Sequence, residues 1–463
     1  MLFSSLEFLY IFLPLTVVLY FLTPRKLKNL TLLFVSIVFY AAGEPIYLFL
    51  MLFCIAANYV FGFLCDPSRH SRGFCRAALV LAVATNVSLL FFFKYFDFLA
   101  SSVPFLSPLG IALPLGISFY TFQALSYVLE IYMGRTRPAK NFVNFSAYVS
   151  LFPQLVAGPI VRYSDIDEAL HHREHSFSRA ADGLRRFAVG LSKKVLLANP
   201  AGEMFSRMTL LGESENTAFG AWLGIVFYAF QIYFDFSGYS DMAIGLGKIF
   251  GFDFPDNFNY PYISRSISEF WRRWHITLSS FFREYVYIPL GGNRRGHARM
   301  YLNLLVVWSL TGLWHGAAPN FLLWGLYYFV LLSLEKAFFG RFLEKAPRII
   351  SHAYSLLAIL FGWVIFAADT IEGGVLSYLS RMFGVGTAAF FGGSDAYELT
   401  RNAILLAIMI LAATPLPKKL IERIFKNEGA RANAGNVLTM ASLLLCTAKL
   451  VSSGYNPFLY FRF

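Results

Sequence analysis

The chain has 463 residues, of which 57% are hydrophobic and 14% are charged. Soluble globular domains carry about 25% charged residues, so the composition excludes an ordinary water-soluble domain. The net charge of +12 does not require a nucleic-acid partner, because basic residues collect in the cytoplasmic loops of membrane proteins. We therefore expect an all-α polytopic protein embedded in membrane lipid.

Apolar stretches long enough to cross a bilayer recur along the chain. Since each span needs about 20 apolar residues, we count roughly eleven candidates. The first, residues 8–22, follows Glu7 and ends in basic residues, which favours a retained span over a cleaved signal peptide. Basic loops near 25–28, 69–76 and 135–140 alternate with connections that lack Lys and Arg. We expect these loops in the cytoplasm and the amino terminus outside.

Two apolar stretches, 218–250 and 300–338, are too long for one simple span. Each is expected to hold two segments, or a broken helix that is buried in protein. No internal repeat or interdomain linker is visible, so we treat residues 1–463 as one membrane domain with its motif core at 231–325. The aromatic tail, residues 454–463, is expected to pack against this domain.

The first polar motif is QIYFDFSGYSD, residues 231–241, in which two acids interrupt an apolar run. Ionisable side chains at membrane depth usually face a protein interior or a water-filled cavity. Asp235 and Asp241 are therefore candidate substrate-binding residues. The alternative is that they cap or brace a broken helix.

A basic and aromatic segment follows at 268–285. If it forms one helix, then Arg272, His275, Ser279 and Arg283 share one face. Such a helix most often lies in the membrane interface. Its functional interpretation is a positively charged surface for a phosphate-bearing ligand.

The loop at 289–299 adds further basic residues beside glycines, although it is not a P-loop. Its charge places it on the cytoplasmic side. The candidate phosphate ligands are therefore Arg272 and Arg273 of the preceding segment and Arg294 and Arg295 of this loop.

A histidine lies deep within the next apolar run. If a helix begins near residue 300, His315 lies about 22 Å from its cytoplasmic end at 1.5 Å per residue, well inside a hydrocarbon core of about 30 Å. Nearby glycines and a proline predict a bent or interrupted helix. A buried neutral imidazole can take a proton from a hydroxyl that attacks an acyl thioester, so His315 is a candidate general base. Trp314 and Asn320 are candidate substrate-binding residues, and the alternative is that His315 only bonds a neighbouring helix.

Two motifs, FWRRWH at 270–275 and LWHG at 313–316, resemble the signature pair of the membrane-bound O-acyltransferase superfamily. The D-alanine exporter of teichoic acid synthesis is a close cousin in that superfamily. Five further segments resemble its alginate O-acetyltransferase subfamily, so that the resemblance covers nearly the whole chain. They are FSSLEF at 3–8, PQLVAGP at 153–159, DFSGYSD at 235–241, YVYIPLGGN at 285–293 and NPFLYFRF at 456–463.

The resemblance implies roughly eleven transmembrane helices, with re-entrant and interfacial helices around a central tunnel. His315 matches the invariant catalytic histidine, and His275 matches a second position that orients or polarises a substrate. The implied reaction needs no bound cofactor and takes acetyl from acetyl-CoA, or another acyl thioester, in the cytoplasm. Periplasmic partner proteins would place it on an exported polysaccharide, alginate above all, beyond a bacterial inner membrane.

Several alternatives stay open from sequence. Similar chains serve cellulose and peptidoglycan, and a transporter or lipid flippase would also explain spans and buried polar groups, although not the tight Trp-His motif. His171, His172 and His175 resemble a metal site, but the flanking charges favour a solvated loop, so we expect no metal. No cysteine lies near the motif core, so we do not expect a cysteine acyl-enzyme.

Overall fold

A computed structural model describes residues 1–101, 103, 105–209, 216–371 and 373–459. Within these ranges the protein is helical and contains no β-strand, which confirms the all-α prediction for this part of the chain. Residues 460–463 of the aromatic tail, and two positions of the 101–108 connection, lie outside the described residues.

The chain divides into two compact units. The first comprises Met1–Ala188 and Tyr239–Asp256, and the second comprises Val189–Gly238 and Asn257–Phe463. The expectation of one membrane domain over the whole chain stays a prediction.

The first unit begins with nine α-helices, counted over its described residues, of which the last ends just inside the second unit. They are α1 (Leu13–Leu22), α2 (Lys28–Ala41), α3 (Leu48–Leu64), α4 (Arg72–Ala100), α5 (Ile117–Tyr132), α6 (Phe142–Ser150), α7 (Phe152–Leu155), α8 (Tyr163–His171) and α9 (Phe177–Ser192). Asn58 of α3 and Asn86 of α4 exchange side-chain amide hydrogen bonds of 3.0 and 2.9 Å. This pair satisfies buried polar groups between two apolar helices.

The remaining α-helices belong to the second unit, apart from the last part of α11, which belongs to the first. They are α10 (Asn199–Thr209), α11 (Ala218–Ile249), α12 (Ile267–Arg273), α13 (Ile276–Phe282), α14 (His297–His315), α15 (Pro319–Leu334), α16 (Gly340–Lys345), α17 (Arg348–Phe366), α18 (Gly374–Met382), α19 (Gly393–Ala412), α20 (Leu416–Ile424) and α21 (Glu428–Ser452).

Short segments of other helical types extend or link these helices. The π-helical segments are Phe8–Phe12, Lys193–Ala198, Arg283–Tyr287 and Glu335–Phe339. The 3₁₀ segments are Arg25–Leu27, Pro261–Ile263 and Ala368–Thr370.

Five helices among the described residues are long and apolar enough to cross a membrane. They are Arg72–Ala100, Ala218–Ile249, Pro319–Lys345, Arg348–Phe366 and Glu428–Ser452. Helices α19 and α20, bent by 77° at a short break, would make a sixth span if they count as one. The protein is therefore a multi-pass membrane protein, while the number of roughly eleven spans stays a prediction.

The two long apolar stretches have different outcomes. Residues 300–338 hold two helices, α14 and α15, as predicted. The stretch at 218–250 is instead one continuous helix of 32 residues, α11. The prediction of a break there, with Asp235 and Asp241 bracing it, is wrong, because the helix runs unbroken past both acids.

Helices α14 and α15 approach each other closely through two glycines. A Cβ atom on Gly312 would lie 2.4 Å from the carbonyl oxygen of Phe321, and one on Gly325 would lie 2.3 Å from that of Trp308. Small residues let helix backbones approach within membranes. These contacts fix the hairpin whose first helix ends at His315.

Candidate active site

The helix that was predicted over 268–285 is broken at His275. This residue has a left-handed backbone (φ 45°, ψ 53°) between α12 and α13, and its side chain is 0% exposed. The carbonyl oxygen of Asn257 accepts from the backbone N–H of Ile276 at 3.0 Å, and its side-chain oxygen accepts from that of Thr277 at 3.2 Å. The prediction of a single amphipathic helix over 268–285 is therefore wrong, because a preceding loop supplies the hydrogen-bond acceptors at which a second helix begins.

The same asparagine fixes the orientation of the His275 ring. Nδ1 of His275 lies 3.1 Å from Oδ1 of Asn257, and this oxygen also accepts from the backbone N–H of Thr277. Since a backbone N–H can only donate, Oδ1 is the acceptor and the histidine Nδ1 carries the hydrogen. In the neutral ring, Nε2 then holds the lone pair.

His315 is the last residue of α14, and its ring is oriented from within that helix. Its Nδ1 lies 2.7 Å from the backbone oxygen of Thr311, which can only accept, so Nδ1 carries the hydrogen. The chain leaves the helix at Gly316, which is extended, and α15 begins at Pro319. The predicted interruption at His315 is confirmed.

The two histidines share one aromatic neighbour. The ring centroid of Trp314 lies 5.7 Å from that of His275 and 4.9 Å from that of His315. Trp324 and Phe366 cover His315 at 4.8 and 5.5 Å, leaving it 2% exposed. The structure thus brings three of the predicted site residues, both histidines and Trp314, into one enclosed cluster.

Hydrogen-bond donors are concentrated beside this cluster. The ring centroid of Trp324 lies 5.5 Å from that of Trp271 and 5.2 Å from that of Tyr328. The two indole N–H groups and the phenol O–H are buried, and they have no acceptor within the described part of the chain. Buried donors in native proteins usually have a partner, so this region has the capacity to bind a polar group.

Asp235 lies in a buried ion pair that the sequence did not predict. Its Oδ1 lies 2.7 Å from Nζ of Lys194, and its Oδ2 accepts from the backbone N–H of Leu459 at 2.8 Å. Lys194 also donates to the carbonyl of Pro457. The aromatic tail therefore packs against the second unit as predicted, as far as it is described. A lysine in one apolar stretch and an aspartate in another were the available signal.

Asp241 belongs to the first unit and has different surroundings. Its Oδ1 lies 2.6 Å from Nε of Arg186, and the same guanidinium lies 2.8 Å from Asp256. Each acid of the 231–241 motif thus pairs with a cation, and Asp241 shares Arg186 with Asp256. Roles for Asp235 and Asp241 in substrate binding stay predictions.

The predicted phosphate ligands are not gathered into a buried site. Arg272, Arg294 and Arg295 are exposed, and the guanidinium of Arg273 lies 2.9 Å from Glu269 of the same helix. Their binding of phosphate stays a prediction.

Asn320 is linked to the histidine cluster through Phe366 and does not itself belong to the cluster. Its Nδ2 donates to the carbonyl of Phe366 at 3.2 Å, and the ring of Phe366 contacts His315. Its binding of substrate also stays a prediction.

Four residues that position the histidines were missed from the sequence. Thr311 precedes His315 by one helical turn, and that spacing was a usable signal. Asn257, Trp324 and Phe366 come from other elements, and no local pattern marks them.

Comparison with known proteins identifies relatives over the whole chain. The family described as MBOAT, membrane-bound O-acyltransferase family, matches residues 135–371. The chain is 38% identical to the probable alginate O-acetylase AlgI of Azotobacter vinelandii, over 100% of both chains. It is 34% identical to the peptidoglycan O-acetyltransferase of Helicobacter pylori, over 100% of this chain and 98% of that protein. The teichoic acid D-alanyltransferase of Bacillus subtilis is 29% identical over 66% of this chain and 81% of its own.

Proposed function

Because this chain belongs to the membrane-bound O-acyltransferase family, we propose that it O-acetylates an exported polysaccharide, alginate or a similar glycan, from within the bacterial inner membrane. The chain is an O-acyltransferase, and its relatives are named for alginate and peptidoglycan O-acetylation. The donor in this proposal is a cytoplasmic acetyl thioester, acetyl-CoA in the first instance. Periplasmic partner proteins complete the transfer to the polysaccharide.

The orientation of His315 carries the proposal. Because Nδ1 donates to the Thr311 carbonyl at 2.7 Å, the lone pair of the neutral ring is on Nε2. The ring is enclosed by Trp314, Trp324 and Phe366, so bulk water competes poorly for that nitrogen. A base held in one tautomer and one orientation is what general base catalysis requires.

The proposed reaction uses this nitrogen twice. Nε2 of His315 takes the proton from an acceptor hydroxyl as its oxygen attacks the thioester carbonyl carbon. The carbonyl oxygen becomes negatively charged, and the C–S bond then breaks. The departing thiolate takes the proton back from His315, which returns the ring to its neutral form. Atoms and charge balance without a metal or a covalent enzyme intermediate.

The negative charge on the carbonyl oxygen needs a hydrogen-bond donor. The indole N–H of Trp324 is buried, lacks an acceptor within the described residues and belongs to the ring that packs on His315. In the proposed mechanism it donates to that oxygen. Such donors each contribute about a hundred- to a thousandfold in rate.

His275 serves as a positioning residue in this scheme. Its ring is fixed by Asn257 and contacts the indole of Trp314, which also contacts His315. Its Nε2 lone pair can accept a hydrogen bond from a bound substrate hydroxyl or amide.

The test replaces His315 with alanine and uses His297→Ala as the matched control. His297 is exposed at the start of the same helix. We expect His315→Ala to lower acetyl transfer by about a hundred- to ten-thousandfold, with normal amounts of folded protein. The measurements are the O-acetyl content of the exported polysaccharide and acetyl-thioester turnover by purified protein. Full acetylation by folded His315→Ala protein would overturn the proposal.

The same assay separates the enzyme from a transporter or flippase. An enzyme consumes acetyl thioester in detergent, with turnover that depends on an added acceptor. A transporter moves its substrate only across an intact bilayer. Peptidoglycan and cellulose fragments, offered beside alginate oligomers together with the periplasmic partner proteins, identify the final acceptor.

A further inference from the structure

Two adjoining polar cavities lie within the first unit, away from the histidine cluster in the sequence. Their volumes are about 740 and 840 Å³, and they share Arg25, Arg173, His175 and Arg179 among their lining residues. They are built from the loops that follow α1 and α8 and from the turn near Gly251. Ligand cavities typically measure about 300–1,000 Å³.

Six Lys and Arg side chains line these cavities, and most of them have no carboxylate partner within the described residues. The six are Arg25, Lys26, Lys28, Arg173, Arg179 and Lys248. Within the described residues, Arg179 alone of these six forms an ion pair, at 2.7 Å with Asp253.

Carboxylates line the cavities too, but several already have partners. Asp253 is occupied by Arg179, Asp182 lies 2.5 Å from Arg185, and Asp165 accepts from the backbone N–H of Arg162. Glu168 and Glu174 also line the cavities, and the backbone contact of Asp165 leaves its charge in place. Five cations without an ion pair within the described residues therefore face three such carboxylates, so the net charge of the lining is positive.

Arg173 is held rigidly with part of its donor set unused. Its Nη2 donates to Oδ1 of Asn29 at 2.5 Å, and its guanidinium stacks 4.5 Å from the ring centroid of Phe252. Its Nη1 is buried, without an acceptor within the described residues. An ordered guanidinium with a spare N–H edge is suited to a phosphate oxygen.

The neighbours of Arg173 indicate a positive field in the cavity. Burial, followed by the charges of Lys28, Arg173 and Arg179, lowers the pKa of His175. At Gly251, whose φ is +88°, an added Cβ would lie 3.3 Å from both the Arg173 side chain and His175. The glycine thus lets the turn approach the cation.

We propose that the cavity around Arg173 binds a phosphate group, carried either by the nucleotide of a coenzyme A thioester or by an anionic lipid headgroup. The basic loop at 25–28 is predicted to face the cytoplasm, where both sources occur. This proposal rests on the cations of the first unit and not on the function proposed for His315.

The test measures binding by full-length protein in nanodiscs. The first probe is coenzyme A, added to protein in nanodiscs of neutral phosphatidylcholine. The second probe is phosphatidylglycerol, mixed into the lipid of the nanodiscs in place of part of the phosphatidylcholine. Arg173→Gln should lower the affinity for at least one of the two probes by about tenfold, because a charge-assisted hydrogen bond is lost. Loss for coenzyme A identifies the nucleotide, and loss for phosphatidylglycerol identifies the lipid headgroup.

Two further variants keep the result decisive. Lys248→Gln removes a partly exposed cavity cation that makes no ion pair with any described residue. This variant should therefore fold normally and bind the same probe several-fold more weakly. Lys345→Gln, at the exposed end of α16, is the control and should bind as the native protein does. The proposal is overturned if neither probe binds, or if the cavity variants bind as tightly as the control.

Discussion

Lys194 and Asp235 form an ion pair of 2.7 Å in which the side chains are only 3% and 2% exposed. The second carboxylate oxygen of Asp235 accepts the backbone N–H of Leu459, and Lys194 donates to the Pro457 carbonyl. Buried opposite charges are tolerated when further hydrogen bonds satisfy them, as here. Removal of one partner strands the other charge within the protein.

Asp235→Asn and Lys194→Met should each lower the free energy of unfolding by about 3–5 kcal/mol. The double variant Lys194→Met/Asp235→Asn should lose less than the sum of the two single losses, because it leaves no uncompensated charge. Denaturant unfolding in one detergent, read as a double-mutant cycle, measures this. Asp253→Asn, from a largely exposed ion pair, is the control and should cost at most about 1 kcal/mol. Strictly additive losses would contradict the coupling.

This ion pair shows where sequence reasoning stopped. Charged residues in apolar runs were expected to face a protein interior or a water-filled cavity. The partners were missed because Lys194 and Leu459 lie far along the chain from Asp235, and no local periodicity reports such a distance. The same limit concealed Arg186 as the partner of Asp241.

The interruption of the helix at His315 was predicted correctly, while the role of His315 in catalysis stays a prediction. His315 was identified because an ionisable group deep in an apolar run, followed by glycine and proline, indicates an interrupted helix. The break at His275 was missed, because the acceptors that start α13 come from Asn257, eighteen residues earlier. The helical periodicity at 268–285 correctly predicted a helix on each side of the break. It could not predict that His275, between the two helices, has a left-handed backbone.

Asn257→Ala should lower acetyl transfer by about tenfold to a hundredfold, because His275 loses the acceptor that orients it. The effect should appear mainly in kcat. Asn257→Asp keeps an acceptor oxygen and should retain more activity than the alanine variant. Asn259→Ala is the control, since the contacts of Asn259 with Arg273 run through its backbone N–H and its backbone carbonyl. Equal losses in the alanine and aspartate variants would argue against a positioning role.

Gly312→Ala should destabilise the α14–α15 hairpin by about 1–3 kcal/mol, a typical cost of overpacking. The added methyl would meet the backbone oxygen of Phe321 at 2.4 Å, and backbone cannot rotate away. Gly73→Ala in α4 has open space and should be neutral or slightly stabilising. Thermal unfolding of the two proteins in the same detergent compares them. A Gly312→Ala protein as stable as the native one would refute the close contact.

The lowered pKa of His175 makes stability fall in acid. Below about pH 6.5 the unfolded chain binds a proton that the folded protein takes up only at lower pH, so this contribution to stability is lost as pH falls through that range. The glutamine in the His175→Gln variant cannot titrate. Below about pH 6.5 the unfolding midpoint of the native protein should therefore fall relative to that of the variant. A pH-independent difference would show that neither burial nor the neighbouring cations lower the pKa of His175 in the folded protein.

The predicted topology can be read by cysteine labelling, since the four native cysteines are buried. Ser71→Cys lies in a basic loop and Ser107→Cys in a connection that lacks Lys and Arg; both positions are exposed. A membrane-impermeant maleimide should label position 107 on intact spheroplasts and position 71 on inverted vesicles. The reverse pattern would invert the proposed orientation.

The order in which a ribosome makes the chain gives the tail contact a consequence for biogenesis. Leu459 is added 224 residues after Asp235, so α11 is delivered to the bilayer before the amide that completes its carboxylate exists. Lys194 is made earlier and is available as the counter-ion during insertion. A premature stop codon after α11 and before the tail would leave the Lys194–Asp235 pair inside the membrane without its hydrogen bonds to Leu459 and Pro457. Such a truncated protein would be a substrate for quality-control proteases.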